Sequence, residues 1–395
     1  MKGSAMPANA PSIAHMLPWG GIGGVEIATL RMVEATSDRF RHIAFCIPEA
    51  TQLQQAFRDQ GTEVVVYRSP EPSLRHGQRF FRESRALADQ IRGAHADIVH
   101  FSETKAAEHA SLAAHLAHAK TVCHVRNTYS TLNLRQRLPL LGTDLFLFVS
   151  LEARRQFGLS VPDRRTRVIY DPIEMSAEDL AVDACAVRAE LGVAAGRPVI
   201  GTVARVNPQK DYFTLAAAAR RVLDRHPDAL FLIVGDNAQI ALNRQHYAEV
   251  MERLRQLNIA DSFLFTGHRN DVPRMIAAMD ISVLSTHREG FGLCIAESMA
   301  MGKPVVATAV GGLLEVVTDN RTGYLCPHGD SDQLARKIIC LLDHPAQAAA
   351  FGSAGRQYVI QKFSRRQFID QISEVYLGLI SKPLFQEHRS IQEHR

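Results

Sequence analysis

The sequence has few cysteines and no recognisable metal-binding spacing. Its 395 residues contain six cysteines without a CxxC pair, and its seventeen histidines include no HExxH motif. These absences argue against a structural zinc site and suit a reducing compartment. The formal net charge is only +4, from 45 basic and 41 acidic residues, so a dedicated nucleic-acid-binding protein is not expected.

Long hydrophobic runs and targeting features are also absent from the sequence. The longest apolar stretch, residues 138–151, is interrupted by Gly142 and Asp144. It is too short to span a bilayer as a helix, and we interpret it as a buried strand. Residues 1–12 include one lysine and no apolar core of a secretory signal. These features predict a cytoplasmic protein.

Short apolar runs alternate with helix-period stretches along most of the chain. This alternation is typical of βαβ units, and it predicts α/β architecture with parallel sheets covered by helices on both faces. The candidate strands are residues 13–17, 42–47, 63–67, 98–101, 121–125 and 145–149, followed by 199–204, 230–234, 263–265, 281–284, 305–308 and 323–325. The candidate helices include residues 25–34, 51–60, 79–91, 212–225, 245–257 and 292–301.

The rhythm of strands and helices is broken once, at residues 171–197. Asp171-Pro172 ends a strand-like run, and an Ala-, Asp- and Glu-rich segment without a strand follows. We therefore divide the chain into two doubly wound domains, a helix and a tail: residues 1–172, 173–362, 363–383 and 384–395. The helix follows the strands of the second domain and must pack elsewhere. The tail repeats the letters QEHR and is expected to be disordered.

A glycine cluster follows the first predicted strand. It contains Gly20, Gly21, Gly23 and Gly24 and precedes an amphipathic helix. Glycines at a helix N-terminus let backbone N–H groups approach an anion, with support from the helix dipole. A dinucleotide-binding fingerprint would need a third glycine where Glu26 stands, which counts against an NAD-dependent enzyme. Two interpretations of this cluster remain, an anion-contacting loop and a plain tight turn.

A basic loop follows the strand predicted at residues 199–204. Its sequence RVNPQKD places Arg205 and Lys210 five residues apart, and ligands of doubly wound sheets bind at the carboxyl ends of the strands. Charge-assisted hydrogen bonds from two cations could clamp a diphosphate, each contributing roughly 1.5–3 kcal/mol. The alternative that the spacing alone leaves open is an exposed basic turn.

A third segment, HREGFGLCIAE, follows the strand predicted at residues 281–284. Glu289 precedes Gly290 and Gly292, which frame the start of a helix, and Glu297 lies inside that helix. Backbone N–H groups at such a helix start can bind phosphate oxygens. A carboxylate before the helix can reach a sugar, and one two turns in can reach ribose hydroxyls. This context favours a functional site over an incidental pair of glutamates.

These segments make the chain resemble the family 4 type of GT-B glycosyltransferases over nearly its whole length. The matching stretches are GGVE, RVNPQKD, VSLEARRQF, VIYDPI and the segment from Gly267 to Leu325, which is the most specific. The resemblance implies two Rossmann-like, doubly wound parallel-sheet domains that face each other across a cleft. It also implies an enzyme that moves a sugar from a nucleotide-sugar donor to a hydroxyl acceptor with retention of configuration.

The resemblance also implies roles for individual residues. Arg205 and Lys210 would hold the donor diphosphate, Glu289 would contact the donor sugar and Glu297 would bind the ribose. The backbone around the donor sugar would come from Gly290, Phe291, Gly292 and Leu293. Gly23 and Gly24 would contact the phosphates from the N-terminal domain. The last helix pattern would cross back to the N-terminal domain.

One position departs from the family pattern. After the strand at residues 121–125 the family often carries a histidine near the acceptor and the donor sugar, and strand phase places Arg126 there. A guanidinium is always charged and cannot act as a base. His124, two residues earlier on the same strand face, is the alternative. Glu289, Arg126 and His124 are therefore the candidate catalytic residues, and a non-catalytic nucleotide-sugar-binding subunit stays open.

Metal-dependent sugar transfer commonly uses an Asp-x-Asp pair, which occurs here only at Asp330-Ser331-Asp332. Because this pair opens a predicted helix, capping explains it. Arg205 and Lys210 can supply the electrostatic role of a cation. We therefore expect no metal and no cofactor, since the nucleotide-sugar is a substrate. Another GT-B sugar-processing enzyme is a further alternative, although the EGFG-to-Glu297 arrangement argues against an epimerase and no cofactor-lysine motif of a phosphorylase is evident.

The expected acceptor is a glycan or a lipid-linked molecule, in the assembly of a cell-surface polysaccharide or glycolipid. Residues 73–92 carry five arginines, with Phe80 and Phe81 among them, so a basic helix could rest on anionic lipid at the inner face of the membrane. The interpretation that we favour is an ordinary solvated face with both phenylalanines in the core. Acceptor choice would depend on the loops at residues 68–78 and 128–137.

Overall fold

The computed structural model describes residues 10–72, 75–129, 131–237 and 241–381. The tail expected to be disordered, residues 384–395, lies outside this part of the chain. The described residues form two compact units, each built around a parallel sheet. Of the described residues, the first unit contains 10–148, 157–169 and 366–381, and the second contains 149–156 and 170–365.

Strands and helices alternate along the described residues, as the sequence predicts. The strands are β1 (Ser12–Leu17), β2 (Arg41–Cys46), β3 (Glu63–Val66), β4 (Ile98–Phe101), β5 (Lys120–Val125), β6 (Leu145–Phe148), β7 (Thr166–Val168), β8 (Val199–Val203), β9 (Leu230–Val234), β10 (Phe263–Gly267), β11 (Ile281–Leu284), β12 (Val305–Thr308) and β13 (Tyr324–Cys326). The helices are α1 (Gly24–Thr36), α2 (Thr51–Asp59), α3 (Gly77–Gly93), α4 (Thr104–Leu116), α5 (Leu134–Leu141), α6 (Leu151–Arg155), α7 (Ala177–Leu180), α8 (Ala184–Glu190), α9 (Tyr212–Arg225), α10 (Ala241–Gln256), α11 (Val272–Ala277), α12 (Leu293–Ala300), α13 (Leu313–Val316), α14 (Ser331–Asp343), α15 (Pro345–Lys362) and α16 (Arg365–Ser381). All the predicted strands form, and β7 is an additional strand of three residues.

Both sheets have the doubly wound strand order of a Rossmann fold. The first is ordered β3-β2-β1-β4-β5-β6-β7 and the second β10-β9-β8-β11-β12-β13. Neighbouring strands run parallel throughout the described sheets. The winding reverses between β1 and β4 and again between β8 and β11, and ligands of such sheets bind beyond the carboxyl ends of the strands at these switch points. The expected pair of Rossmann-like domains is confirmed.

The interpretation of residues 138–151 as one buried strand is wrong. The first part of this run belongs to helix α5, and only β6 is a strand. Asn133 caps the helix, because its side chain accepts a hydrogen bond from the N–H of Gln136 at 3.1 Å. Leu138 and Leu141 face outward from this helix and are more than half exposed. Among the described helices, none has the length and apolar character needed to cross a bilayer.

Helix α16 completes the core of the first unit. Phe368, Ile372 and Tyr376 on this helix join an apolar cluster with residues of the first sheet, including Ile13. The Tyr376 hydroxyl also lies 2.6 Å from Nδ1 of the buried His100 on β4. The last helix pattern of the sequence thus packs on the N-terminal strands and not on the strands that precede it.

The chain changes units at four points, whereas within the described residues we expected boundaries only after residues 172 and 362. The main difference is the segment Val149–Gln156, which belongs to the second unit. Its backbone N–H groups at Leu151 and Glu152 donate to the carboxylate of Glu315 at 3.0 and 2.8 Å. A carboxylate at the start of α6 also interacts favourably with the helix dipole. These contacts with Glu315 hold the segment to the second unit.

Candidate functional site

In the second unit, the loops after β8 and β11 are joined by hydrogen bonds at the switch point. The N–H of His287 donates to the carbonyl of Gln209 at 3.0 Å, and the hydroxyl of Thr286 donates to the same carbonyl at 3.1 Å. The Gln209 side chain in turn donates to the carbonyl of Arg288 at 3.0 Å. These bonds hold the basic loop against the loop that carries Glu289.

Lys210 and Glu289 form an ion pair between these two loops. The Lys210 Nζ lies 2.5 Å from the Glu289 Oε2, and the two side chains are only 15% and 16% exposed. The carbonyl of Asn207 accepts a hydrogen bond from the Lys210 N–H at 3.0 Å and closes the turn. The Arg205 side chain is exposed and has no hydrogen bond or ion pair to any described residue. The basic loop therefore offers one ammonium held by a carboxylate and one guanidinium that faces solvent.

The residues after Glu289 form a tight entry into helix α12, which begins at Leu293. Gly292 has a φ of +99°, in the left-handed region, and a Cβ there would lie 2.6 Å from a methyl carbon of Leu313. Only glycine meets both requirements without strain. Phe291 is buried, with its ring centroid 5.0 Å from that of Phe363. The predicted glycine frame of the helix start is confirmed.

Glu297 is the fifth residue of α12 and is 8% exposed. Glu289 lies before the helix start, on the loop side of Gly290 and Gly292. The two glutamates thus occupy the positions that the sequence pattern indicates, one in the loop and one buried within the helix. Their roles toward a sugar and a ribose stay predictions.

In the first unit, Gly23 and Gly24 lie beyond the carboxyl end of β1, at the start of α1. The N–H of Gly23 donates to the Oε2 of Glu26 at 2.8 Å. Gly24 is exposed, and a Cβ built on it would meet no described atom within 4 Å. A carboxylate of the chain itself therefore already binds the Gly23 donor, while the open side of this loop is at Gly24.

His124 and Arg126 contact each other at the carboxyl end of β5. An Nη2–H of Arg126 donates to the Nδ1 of His124 at 3.1 Å, and both side chains are buried. Burial, reinforced by the charge of Arg126, holds the pKa of His124 well below its usual range. Because a guanidinium can only donate, His124 is a neutral imidazole with its proton on Nε2. The charged group at this position is the arginine.

Two family descriptions match consecutive parts of the chain. Residues 22–177 match Glycosyltransferase Family 4, and residues 185–358 match Glycosyl transferases group 1. The two matches cover most of both units, in the order in which the sequence motifs occur. The chain belongs to the family 4 type of GT-B glycosyltransferases. The expected family is confirmed.

Curated relatives and solved structures resemble this GT-B glycosyltransferase. The GDP-mannose-dependent monoacylated alpha-(1-6)-phosphatidylinositol monomannoside mannosyltransferase of Corynebacterium glutamicum is 28% identical over 87% of the chain and 91% of its own length. The N-acetyl-alpha-D-glucosaminyl L-malate synthase of Bacillus anthracis is 27% identical over 55% of each protein. The chain spans about half the length of several curated relatives that it matches, this synthase among them. The crystal structure of Anabaena Alr3699/HepE in complex with UDP and glucose superposes with a TM-score of 0.80 at 24% identity, covering 92% of this chain and 98% of that one, which shows the shared fold.

A second pair of glycines supports the Glu289 loop of this GT-B glycosyltransferase. The N–H of Gly312, after β12, donates to the Glu289 carbonyl at 3.0 Å. A Cβ at Gly312 would overlap the carbonyl oxygen of Gly290, and Gly311 has a φ of +53°. We assigned this pair no role from the sequence, although two adjacent glycines shortly after a predicted strand were an available signal.

A further carboxylate lies at the switch point of the first sheet. Glu103 follows β4, is 5% exposed and accepts a hydrogen bond from the indole N–H of Trp19, which follows β1. Burial, with a contribution from the nearby Glu26, raises the pKa of Glu103 to about 7. The GT-B glycosyltransferase thus holds a carboxyl group that titrates near neutral pH. No motif marks it, and its place directly after a strand is the only sequence signal.

Four buried histidines, which we call the histidine row, cross the first sheet: His42, His15, His100 and His124 lie on β2, β1, β4 and β5. Successive ring centroids are 5.1, 5.3 and 5.4 Å apart. Burial lowers the pKa of His42 to about 4 and that of His100 to about 3, and places those of the other two well below their usual range. The row is therefore neutral at physiological pH.

The Asp-x-Asp pair is a capping feature, as predicted. The side chain of Asp330 accepts a hydrogen bond from the N–H of Gln333 at 2.8 Å and caps α14. Asp332 forms an ion pair with Arg221 at 2.5 Å. Both carboxylates thus have partners within the second unit.

The expectation that both phenylalanines of the basic helix lie in the core is wrong for Phe81. This side chain is 50% exposed on α3, whereas Phe80 is partly buried. Phe81 lies in the first turns of the helix, ahead of the buried residues that pack α3 onto the unit, so half of its surface stays uncovered by the described chain. Residues 73, 74 and 130, which belong to the predicted basic segment and acceptor loop, lie outside the described residues.

Proposed function

We propose that the chain transfers a sugar from a nucleotide-sugar donor to a hydroxyl acceptor, with retention of anomeric configuration and without a metal ion. The observation that carries the proposal is the Lys210–Glu289 ion pair at the switch point of the second sheet, beside the start of α12. Two similar proteins support it: one was crystallised with UDP and glucose, and another is described as GDP-mannose-dependent. Retention rests on the family resemblance.

The ion pair suits the two chemical parts of such a donor. When a diphosphate binds, the Lys210 ammonium can exchange the Glu289 carboxylate for a phosphate oxygen, and Arg205 can supply a second charged donor. Glu289 is then available to accept hydrogen bonds from sugar hydroxyls. The N–H groups at the start of α12 add donors that favour an anion. These groups would stabilise the charge that develops on the leaving diphosphate.

Transfer without a metal is consistent with this arrangement. The basic loop provides cationic groups, so the diphosphate does not need a bound cation as its counter-charge. The Asp-x-Asp pair, which could have held a cation, caps α14 and binds Arg221. The nucleotide-sugar is a substrate, and we propose no cofactor.

We propose that the acceptor is a glycan or a lipid-linked molecule met at the cytoplasmic surface of a membrane, in polysaccharide or glycolipid assembly. Leu134, Leu138 and Leu141 are all more than half exposed on α5, and their spacing places them on one helix face. Phe81 is exposed on α3, and both α3 and α5 pack against α4. Exposed apolar residues next to arginines are typical of helices that lie on anionic lipid.

Sedimentation with anionic phosphatidylglycerol vesicles tests the membrane contact. We expect Leu138→Glu to lower the bound fraction, because it puts a negative charge in the exposed leucine stripe. Leu377→Glu is the matched control, since Leu377 is an exposed leucine on α16. Equal binding of both variants and the unaltered chain, or no binding at all, would contradict the proposed surface.

Thermal unfolding of the whole chain with UDP, GDP, ADP, CMP and their common sugar conjugates tests donor binding. A ligand at about a hundred times its Kd stabilises a protein by roughly 2.7 kcal/mol. We expect a rise in Tm with one nucleotide family that persists in EDTA and is lost in Lys210→Ala. Arg220→Ala, which removes an exposed ion pair with Asp224 on α9, should keep the rise. No rise with any nucleotide would overturn the donor site, and a rise abolished by EDTA would overturn metal independence.

A non-catalytic nucleotide-sugar-binding subunit is the second candidate, because Arg126 replaces a titratable residue that the family often carries. Mass spectrometry of products with a panel of glycan and lipid-linked acceptors separates the two. Transfer or hydrolysis of the donor that is lost in Glu289→Gln supports an enzyme. A donor that binds and stays intact with every acceptor supports the subunit.

A further inference from the structure

Two histidines and an aspartate meet beyond the carboxyl edge of the second sheet. Asp211 precedes α9, His287 follows β11 and His328 follows β13. The Nδ1 of His287 and the Nε2 of His328 are 2.6 Å apart, and the Oδ2 of Asp211 lies 4.0 and 3.9 Å from them. Imidazole nitrogens and carboxylate oxygens are common ligands of transition metals. Because the three residues are far apart in sequence, no spacing motif reveals the cluster.

The fold holds each of the three residues in place. The Oδ1 of Asp211 accepts a hydrogen bond from the N–H of Thr214 at 3.0 Å, which leaves the Oδ2 facing the two imidazoles. The N–H of His287 is bonded to the Gln209 carbonyl. His328 lies in a turn that is closed by a hydrogen bond of 3.2 Å from the Asp330 N–H to the Pro327 carbonyl. The Asp211 carboxylate and the backbone of both histidines are therefore positioned before any ion binds.

Hydrogen bonding alone does not satisfy this cluster. The contact between the two imidazoles uses a single proton, and the Asp211 Oδ2 is too far from either ring for a direct hydrogen bond. Asp211 is nevertheless 5% exposed. A carboxylate oxygen that is this buried and has no direct hydrogen bond to either ring is costly, and a cation among the three atoms would relieve the cost.

The dimensions of the cluster suit a small divalent ion. Zinc bonds of 2.0–2.2 Å to nitrogen and oxygen in a tetrahedral site place ligand atoms about 3.4 Å apart. The three separations in the cluster lie on either side of this value. Small side-chain rotations, which move each ligand atom by less than about an ångström, would bring all three atoms to bonding distance from one ion. The His287 and His328 side chains are 47% and 45% exposed, which leaves a fourth position open to water. Two imidazoles and one carboxylate favour Zn²⁺, Co²⁺ or Ni²⁺ over Mg²⁺ or Ca²⁺.

We propose that Asp211, His287 and His328 form a binding site for a divalent transition metal, with Zn²⁺ as the probe ion and water as the fourth ligand. The ion would join the loops after β8, β11 and β13, two of which also carry Lys210 and Glu289. The site is separate from the proposed sugar transfer, which needs no metal. A failure of zinc binding would leave the donor site standing, and a failure of donor binding would leave the zinc site standing.

Isothermal titration of the EDTA-stripped whole chain with ZnCl₂ tests the site, in protein without a histidine purification tag. We expect one tight zinc equivalent per chain that is lost, or weakened at least about tenfold, in His287→Ala, His328→Ala and Asp211→Asn. Asparagine keeps the cap of α9, so Asp211→Asn removes the charge without removing the hydrogen bond to Thr214. His268→Ala, at an exposed histidine after β10, is the matched control and should bind zinc unchanged.

Cobalt supplies a second measurement that reports the ligands directly. Co²⁺ in place of zinc should show visible absorption of a four-coordinate site in the unaltered chain and in His268→Ala, and not in His328→Ala. Circular dichroism of each variant verifies that it is folded. Zinc affinity that is equal in the folded variants and the unaltered chain, or no stoichiometric binding, would overturn the proposal.

Discussion

The Nζ of Lys210 lies 2.5 Å from the Oε2 of Glu289, and this pair joins the two loops of the second switch point. Both side chains are mostly buried, so neither charge is well solvated without the other. Breaking a buried pair from one side leaves an uncompensated charge, which typically costs about 3–5 kcal/mol. We predict that Lys210→Met lowers the free energy of unfolding by about 3 kcal/mol and that Lys210→Met with Glu289→Gln restores part of the loss.

Urea denaturation of the two variants and of Glu289→Gln alone checks this prediction. The exposed pair of Arg220 and Asp224 on α9 is the control, and Arg220→Ala should cost less than about 1 kcal/mol. A double variant that is no more stable than Lys210→Met would show that the two charges do not depend on each other.

The Gly311–Gly312 turn predicts a steric route to the same loop. A Cβ at Gly312 would overlap the carbonyl oxygen of Gly290, so Gly312→Ala must push the Glu289 loop outward. We expect this variant to lose about 1–3 kcal/mol of stability and to bind its nucleotide at least tenfold more weakly. Gly378→Ala on α16, where a Cβ meets open space, should be neutral or slightly stabilising. Calorimetric titration with the nucleotide found to bind, together with urea denaturation, measures both effects, and unchanged affinity in Gly312→Ala would contradict the steric argument.

The histidine row predicts a loss of stability in acid. The folded-state pKa of His42 is about 4, against an ordinary value of 6.5. Between these two pH values the unfolded chain binds a proton at His42 and the folded chain does not. The stability is fully present above about pH 6.5 and falls as the pH drops toward 4, by on the order of 3 kcal/mol for His42 alone. His15, His100 and His124 change in the same direction.

Urea denaturation between pH 7 and pH 4 measures this loss. The stability of His42→Asn should depend less steeply on pH than that of the unaltered chain, whatever its stability at pH 7. His95→Asn is the control in the same unit, because His95 is exposed and has a φ of +52° that asparagine tolerates. A slope unaffected by His42→Asn would show that the row does not set the acid stability.

Glu103 predicts the opposite trend at higher pH. Its folded-state pKa is about 7, above the ordinary 4.5, so the folded chain retains a proton that the unfolded chain releases. Its contribution is therefore present below pH 4.5 and is lost as the pH rises through 7, by about 3 kcal/mol. Glu103→Gln removes the ionisable group and keeps the side-chain oxygen that accepts from Trp19. Thermal unfolding from pH 5 to pH 9 should show Glu103→Gln becoming more stable than the unaltered chain above pH 7, and equal pH profiles would contradict the burial argument.

The sequence was sufficient for the fold and for the polar residues after the strands, because both depend on local patterns. Alternating apolar runs predict every strand of the two sheets except β7, and Lys210 and Glu289 stand out because each follows a buried strand. The histidine row could not be predicted, since it depends on the register that places His15 beside His100 in adjacent strands. The pattern at residues 138–151 resembles one strand because a capped helix and a strand adjoin there, separated by only residues 142–144.

The place of α16 in the first unit has a consequence for how this protein is made. Phe368, Ile372 and Tyr376 fill the core of a sheet whose strands leave the ribosome more than a hundred and fifty residues earlier. Domains generally fold as units while the chain is synthesised from its N-terminus. The second unit, which needs no residue after Arg365, has all its parts first. Until α16 has been synthesised, the apolar residues of the first sheet that contact it in the folded chain have no cover. The unit whose synthesis begins first is therefore the last to be completed.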